Sequence, residues 1–230
     1  MGTTLTWYGH SCFRLADKNC SILIDPFFTG NPSANISWEA LPPPDMVLVS
    51  HLHHDHTGNA SAICRAYGAK LGVAAPCAGA FITEGIPEHQ LLNGRRLQIG
   101  GSTKEKDIRI TLTEAYHSTE IGVPCGFIIT MPDGVTVYHA GDTDIFANMA
   151  LWGRLYPVDV AILPTGGFFT MDGRQAARSA RMLRAKIAVP MHWGTFPALA
   201  QDTKDFHKEL ANVAPNCAPL EMVPGKLVTL

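Results

Sequence analysis

No stretch of this chain approaches the ~20 consecutive apolar residues that a membrane-spanning helix needs. The opening Met1-Gly2-Thr3-Thr4-Leu5 has no charged region leading into an apolar one. A cytoplasmic protein with no membrane partner is the expectation. Runs of Lys and Arg are missing too, and the formal net charge is −2. Binding along a nucleic-acid backbone, which needs concentrated positive charge, is thereby excluded as the main activity. The six cysteines (Cys12, Cys20, Cys64, Cys77, Cys125, Cys217) form no Cys-x-x-Cys pair. That spacing suits neither a disulfide framework nor a thiolate zinc site, and predicts small buried apolar side chains in a reducing compartment. There is no low-complexity tract, no linker and no repeat at the level of sequence identity, so residues 1–230 are expected to form one domain. With 46% apolar and 17% charged residues, such a domain can bury an ordinary core.

What the chain has in excess is histidine in one place. Ser50-His51-Leu52-His53-His54-Asp55-His56-Thr57-Gly58 follows directly on the apolar run Met46-Val47-Leu48-Val49. Side chains in an extended segment alternate faces, so His51 and His53 leave the strand on the same side and His54 on the other. A turn into a helix at Asp55-His56 would swing those two side chains towards a second position close to the first. Neutral imidazole and carboxylate are the donors that zinc-like ions take. The pattern His-x-His-x-Asp-His therefore predicts a cradle for two metal ions.

Thr4 to Tyr8, Cys12 to Ala16 and Ser21 to Ile24 have the composition of three early strands, the last ending at Asp25-Pro26. A loop rich in Pro, Asn and Ser follows from Asn31 to Pro44. The strand Met46–Val49, a helix over 59–67 stopped by Gly68, and a strand over 70–74 make a βαβ unit. Helices are also predicted over 76–84, 143–151, 172–185 (capped by Thr170 or Asp172) and 202–211. Further strands are predicted over 107–113, 126–130, 135–138, 158–163, 187–190 and 226–229. The turn Met131-Pro132-Asp133-Gly134 joins two of them. Two comparable halves of this kind imply two sheets packed together with helices outside: an α/β, four-layer αββα sandwich.

Further residues of the same chemistry stand at predicted strand ends: His117 in Ala115-Tyr116-His117-Ser118, Asp142 in Ala140-Gly141-Asp142-Thr143, and His192 in Pro190-Met191-His192-Trp193. Together with Asp25 and the His51–His56 cluster, in this order, they resemble the motifs of the metallo-β-lactamase superfamily. Trp7-Tyr8-Gly9-His10-Ser11-Cys12-Phe13, His139-Ala140-Gly141-Asp142-Thr143-Asp144 and Gly166-Gly167-Phe168-Phe169-Thr170-Met171 narrow the resemblance. They are similar to stand-alone bacterial metal-dependent hydrolases, relatives of ascorbate-6-phosphate lactonase and of the phospholipase D that acts on N-acylphosphatidylethanolamine.

The resemblance implies one divalent ion on His51, His53 and His117, and a second on Asp55, His56 and His192, with Asp142 shared. Zn2+ is the first choice of metal, and the donor set also suits Mn2+, Fe2+ or Ni2+. A bridging hydroxide would be the nucleophile, with Asp55 and Asp142 as the catalytic carboxylates. Asp25 is expected to support a metal-binding imidazole by a hydrogen bond. His10 and His139 are either pocket-lining or structural. Gly166 and Gly167 either offer backbone N–H groups to an anion or serve turn geometry alone. Trp38, Phe168 and Phe169 are candidate apolar walls.

The expected substrate is a small phosphodiester or lactone, with no nucleic acid, and the chain admits homo-oligomers. A thiolester hydrolase of the same fold, or a metal-binding sensor without turnover, are the alternative functions.

Overall fold

The computed structural model describes residues 2–94 and 96–230. One mixed sheet has six strands: β1 (Thr4–Trp7), β2 (Phe13–Ala16), β3 (Ser21–Ile24), β4 (Met46–Val49), β5 (Lys70–Val73) and β13 (Leu227–Thr229). They lie in the order β13-β1-β2-β3-β4-β5. The other has seven: β6 (Ser102–Glu105), β7 (Ile108–Glu114), β8 (Cys125–Thr130), β9 (Thr136–His139), β10 (Val160–Pro164), β11 (Ile187–Met191) and β12 (Ala218–Pro219). Its order is β12-β11-β10-β9-β8-β7-β6.

The two sheets repeat one scheme. β1-β2-β3 are antiparallel and β3-β4-β5 parallel. β7-β8-β9 are likewise antiparallel and β9-β10-β11 parallel. The duplication invisible in the sequence is thus plain in strand topology. It places the ends of β3 and β9, which lead to Asp25 and Asp142, in corresponding positions.

Every residue of β3, β4, β9 and β10 is buried. Alternating side chains can all be buried only if both faces of the strand are covered. The helices are α1 (His54–Thr57), α2 (Ala60–Tyr67), α3 (Ala78–Thr83), α4 (Met149–Leu155), α5 (Gly173–Leu183) and α6 (Lys204–Val213). On the outside α2 packs on β4, α5 on β10 and β11, and α4 and α6 flank α5. On the inside the sheets meet each other: the Phe13 and His139 rings stand edge to face at 5.7 Å, and the Cys125 amide donates to Ser50 O at 2.9 Å. The αββα layering expected from the sequence is the architecture found. All six cysteines are free and buried. No described helix is long and apolar enough to cross a membrane.

Local chemistry explains the helix ends. Gly68 takes φ 67° and returns its N–H to Cys64 O, closing α2 in the left-handed conformation glycine tolerates. Asp172 and Gln175 form a reciprocal capping box at the start of α5, which selects Asp172 over Thr170 as the cap.

Two expectations need correction, and two strands went unpredicted. The helix predicted over 143–151 begins only at Met149, because polar side chains ahead of it bond to loop backbone instead. Thr143 Oγ1 accepts the Tyr116 N–H at 2.9 Å and Asp144 Oδ1 accepts the Ile145 N–H at 2.7 Å. The helix predicted over 76–84 divides into a 3-10 turn, Ala75–Cys77, and α3. Finally, β6 and β12 are edge strands that no apolar alternation announced.

Candidate metal centre

The site lies where both sheets end. His10 follows β1, Asp25 follows β3, the His51–His56 segment follows β4, His117 follows β7, Asp142 follows β9 and His192 follows β11. Ligand sites beside the carboxyl ends of strands are the general rule in α/β sheets, because the loops there are free to carry chemistry. Three of these residues adopt left-handed backbone: His10 at φ 53°, Asp25 at 45° and His192 at 56°. Non-glycine residues hold that conformation only where surroundings over-determine it, and it recurs at functional sites.

Two clusters of donor atoms meet here. In the first, His53 Nδ1 lies 2.9 Å from His51 Nε2 and 3.3 Å from His117 Nε2. In the second, His192 Nε2 is 3.0 Å and His56 Nε2 3.3 Å from the two Asp142 oxygens, with Asp55 Oδ2 3.9 and 4.0 Å from the same nitrogens. His117 Nε2, at 3.6 Å from Asp142 Oδ2, ties the clusters together. All seven residues expected as metal ligands are thereby brought together. His54 is exposed, as alternation predicted, and its ring stands edge to face with that of Phe27.

The atoms fit metal ions. Among the described residues, buried His56 Nε2 and Asp142 Oδ1 have no hydrogen-bond partner. Buried polar groups normally find one, and a pair of orphans facing each other among imidazoles is what a cation would satisfy.

Ser50, which the sequence reading passed over, organises the cluster from behind. Its Oγ donates to Asp25 Oδ2 at 2.7 Å and accepts from His51 Nδ1 at 3.0 Å. His56 Nδ1 also donates to Asp25 Oδ2, at 2.7 Å. With those protons placed on Nδ1, Nε2 is the atom that His51 and His56 each turn to the site. Burial opposes a charge on Asp25, but the His56 charge and hydrogen bond outweigh it and hold the carboxyl below its usual range. Asp142 follows the same logic: burial is overcome by His192 and His56, and the carboxyl lies well below its usual range.

His10 and His139 separate clearly. His139 Nε2 donates to Ser11 O at 3.1 Å and its Nδ1 accepts from the Gly141 amide at 3.2 Å, so both nitrogens serve the backbone. His10 faces the site, with Nε2 2.9 Å from Asp55 Oδ2 and Nδ1 3.0 Å from Thr195 Oγ1.

Gly166 and Gly167 serve geometry. A Cβ on Gly166 would stand 2.3 Å from His192 O, and the Gly167 N–H already donates to Met171 O at 3.0 Å. Trp38 packs on Tyr67 at the far end of α2, while Phe168 and Phe169 are exposed and contact each other, so none of the three is a wall. The aromatic neighbours of the site are Phe27 and Phe196, which flank His10.

A family model of the beta-lactamase superfamily domain matches residues 4–192. The chain belongs to the metallo-β-lactamase superfamily. A UPF0173 metal-dependent hydrolase of Nitratidesulfovibrio vulgaris (strain DP4) is 54% identical over 230 residues, covering 100% of this chain and 96% of the relative. One from Lawsonia intracellularis is 46% identical, covering 98% of each chain. Among solved structures, Igni18, a metallo hydrolase from the archaeon Ignicoccus hospitalis, superposes with a TM-score of 0.90 at 37% identity, covering 100% of this chain and 99% of the other. The protein is a metal-dependent hydrolase of this fold.

Freed of metal, this superfamily member should be acid-sensitive. Burial, first among the causes, pushes His10 down to about 4 and His51 to about 3, and lowers His117 and His139 as well. A histidine whose folded value lies below the unfolded ~6.5 binds fewer protons when folded, so its contribution falls as pH drops below that value. His56 acts oppositely. Burial lowers it, yet Asp142 and Asp25 raise it well above the ordinary value, and its share is lost as pH rises through the folded value. Four lowered groups oppose one raised group, so chelator-treated protein should melt at a lower temperature at pH 5 than at pH 7.5. A higher melting temperature at pH 5 would contradict this.

Proposed function

We propose that the protein is a binuclear hydrolase of small phosphodiesters or phosphorylated lactones, with Zn2+ as the first-choice metal. The observation that supports it most is the linked pair of clusters: seven donors exceed what one four-coordinate ion accepts. Two divalent ions there would lower the pKa of a shared water from 15.7 towards ~7 and polarise the scissile bond. Asp55, the partly exposed carboxylate of the set, would be placed to orient such a water and to take its proton. Asp142, His51, His56 and His192, all buried, hold the centre in place, while half-buried His53 faces the opening.

Two dications against the carboxylates of Asp55 and Asp142 leave a net positive centre that draws an anionic or strongly polarised group. Beside His53 opens a pocket of about 250 Å³, apolar at Leu52, Phe81 and Ile121 and polar at Thr57 and Thr119. That volume suits a small leaving group rather than a polymer. Glu84 and Glu120 are the charged residues lining it, so the part of the substrate it takes is the uncharged leaving group, with the anionic group at the ions.

The test joins elemental analysis to a substrate panel: bis-p-nitrophenyl phosphate, a sugar-phosphate lactone, nitrocefin, a glutathione thiolester and single-stranded RNA. Close to two ions per chain and turnover of the first or second substrate are expected. One ion per chain after supplementation would defeat the binuclear reading. Turnover confined to RNA, nitrocefin or the thiolester would defeat the substrate reading.

A further inference from the structure

We propose that His10 is the positioning residue of the second metal site, donating from Nε2 to the Asp55 carboxylate and thereby setting how tightly that site holds its ion. The proposal rests on the two-metal reading above.

His10 is held from every side. Its carbonyl accepts the Trp7 indole N–H at 2.9 Å and the His192 amide at 3.2 Å. Its ring is fully buried, lies 4.0 Å from the His192 ring by centroid, and stands edge to face with Phe27 and Phe196. These contacts keep the residue in left-handed backbone, a conformation it would not choose in isolation. An arrangement so constrained aims the two ring nitrogens along fixed directions.

Taken as a hydrogen bond, the contact to Asp55 assigns the proton to one nitrogen. Asp55 as a carboxylate can only accept, so the 2.9 Å contact to Oδ2 requires Nε2–H. Nδ1 is then the acceptor, and the Thr195 hydroxyl 3.0 Å away is the matching donor. His10 Nε2 does lie with Asp55, His56 and His192 in a group whose donor atoms are all within 4.8 Å of one another. A nitrogen that holds a proton has no lone pair for a cation, however, so His10 acts on the ion through Asp55.

Asp55 depends on this bond. Among the described residues, His10 supplies its side chain's one hydrogen bond, and that side chain is 25% exposed where Asp25 and Asp142 are 0% and 3% exposed. Ser50 orients His51 from behind, and among the described residues no hydrogen bond joins His10 to His51, His53 or His117, so the first cluster does not need His10. Removing His10 should free Asp55 to rotate towards solvent and weaken one site selectively.

The experiment titrates metal-free protein with Co2+ and Zn2+, following affinity by calorimetry with a competing chelator and coordination by the Co2+ visible spectrum. Wild type should take up two ions in two steps. His10→Ala should keep the first step and weaken the second by roughly 10–100-fold, the usual effect of losing a group that orients a ligand. His10→Gln, whose amide N–H can reach the place of Nε2–H, should restore the second step to within about threefold. Thr195→Val should weaken the second step less than His10→Ala and add nothing to it in the double variant.

His10→Ala with both affinities intact and only a lower melting temperature would reduce the residue to a structural one and overturn the proposal. So would a His10→Gln protein as impaired as His10→Ala whose bound Co2+ spectrum lacks a nitrogen donor, since His10 would then be a ligand. If His10→Ala fails to fold, His10→Gln and Thr195→Val carry the same test. Wild type binding a single ion would instead defeat the two-metal reading itself.

Discussion

Replacing Asp142 with alanine should remove bound metal and hydrolysis together, with activity falling by more than about a thousandfold. Lewis-acid and nucleophile activation by the ions are worth several kcal/mol, and each ~1.4 kcal/mol is a factor of ten in rate. Asp142 is the residue on which the two clusters converge, within 3.0–3.6 Å of His192, His56 and His117. Without it, the imidazoles of His56, His117 and His192 lose the carboxylate they share, and Asp55 is the one carboxylate of the set left to offset two cations. Asp142→Asn keeps the shape and loses the charge, and should lose metal nearly as completely. His54→Ala is the control: its exposed side chain is directed away, and both metal content and rate should stay at wild-type levels. Elemental analysis and initial rates on the same preparations make the comparison. Metal retained in Asp142→Ala but lost in His54→Ala would reverse the assignment of faces.

Asp25→Ala should be among the most destabilising single changes in the molecule, at roughly 3–5 kcal/mol. The carboxylate is fully buried and accepts three hydrogen bonds of 2.7 Å, from the Ser50 amide, the Ser50 hydroxyl and His56 Nδ1. Alanine would strand all three donors in the interior and leave His56 without its partner. The backbone adds to the loss, since φ 45° is a conformation that Asp and Asn tolerate better than Ala. For a chain of this size the melting temperature should drop by about 10 °C or more. Asp25→Asn keeps the backbone preference and one acceptor oxygen, and should fall between wild type and alanine. Urea titrations of the metal-free proteins measure the differences. A loss below about 1 kcal/mol would mean that Asp25 is replaceable as an anchor.

Much of this was legible in residue order because the relevant physics is local. A strand such as Met46–Val49 announces itself by an unbroken apolar run, and Gly68 or the Asp172–Gln175 pair marks a helix end by backbone chemistry within one turn. The donor residues were legible for a related reason. Imidazole and carboxylate have few other reasons to crowd at strand ends, so His51, His53, Asp55 and His56 point to a cation without any knowledge of where His117, Asp142 and His192 return.

What failed was whatever depends on a partner distant in the chain. Residues 143–148 have helical composition, but Thr143 is taken by the amide of Tyr116 and Asp144 by its own loop. Gly166 and Gly167 were open between an anion contact and turn geometry, and the His192 carbonyl, 2.3 Å from where a side chain on Gly166 would stand, decides for geometry at Gly166. Ser50 was hidden because nothing in its neighbours shows that Asp25, 25 residues earlier, lies against it. His10 and Asp55 are 45 residues apart, and His10 and Thr195 are 185 apart.

The sequence by itself therefore determined the layered α/β class and the His51–His56 donor cluster, which follow from periodicity and residue chemistry, while the resemblance of its ordered motifs to the superfamily implied the full ligand set with His117, Asp142 and His192. Only the tertiary structure decided which nitrogen of each imidazole faces the centre and which carboxylate anchors which histidine. Those choices are made by hydrogen bonds between strand ends that meet only when the two sheets close on each other.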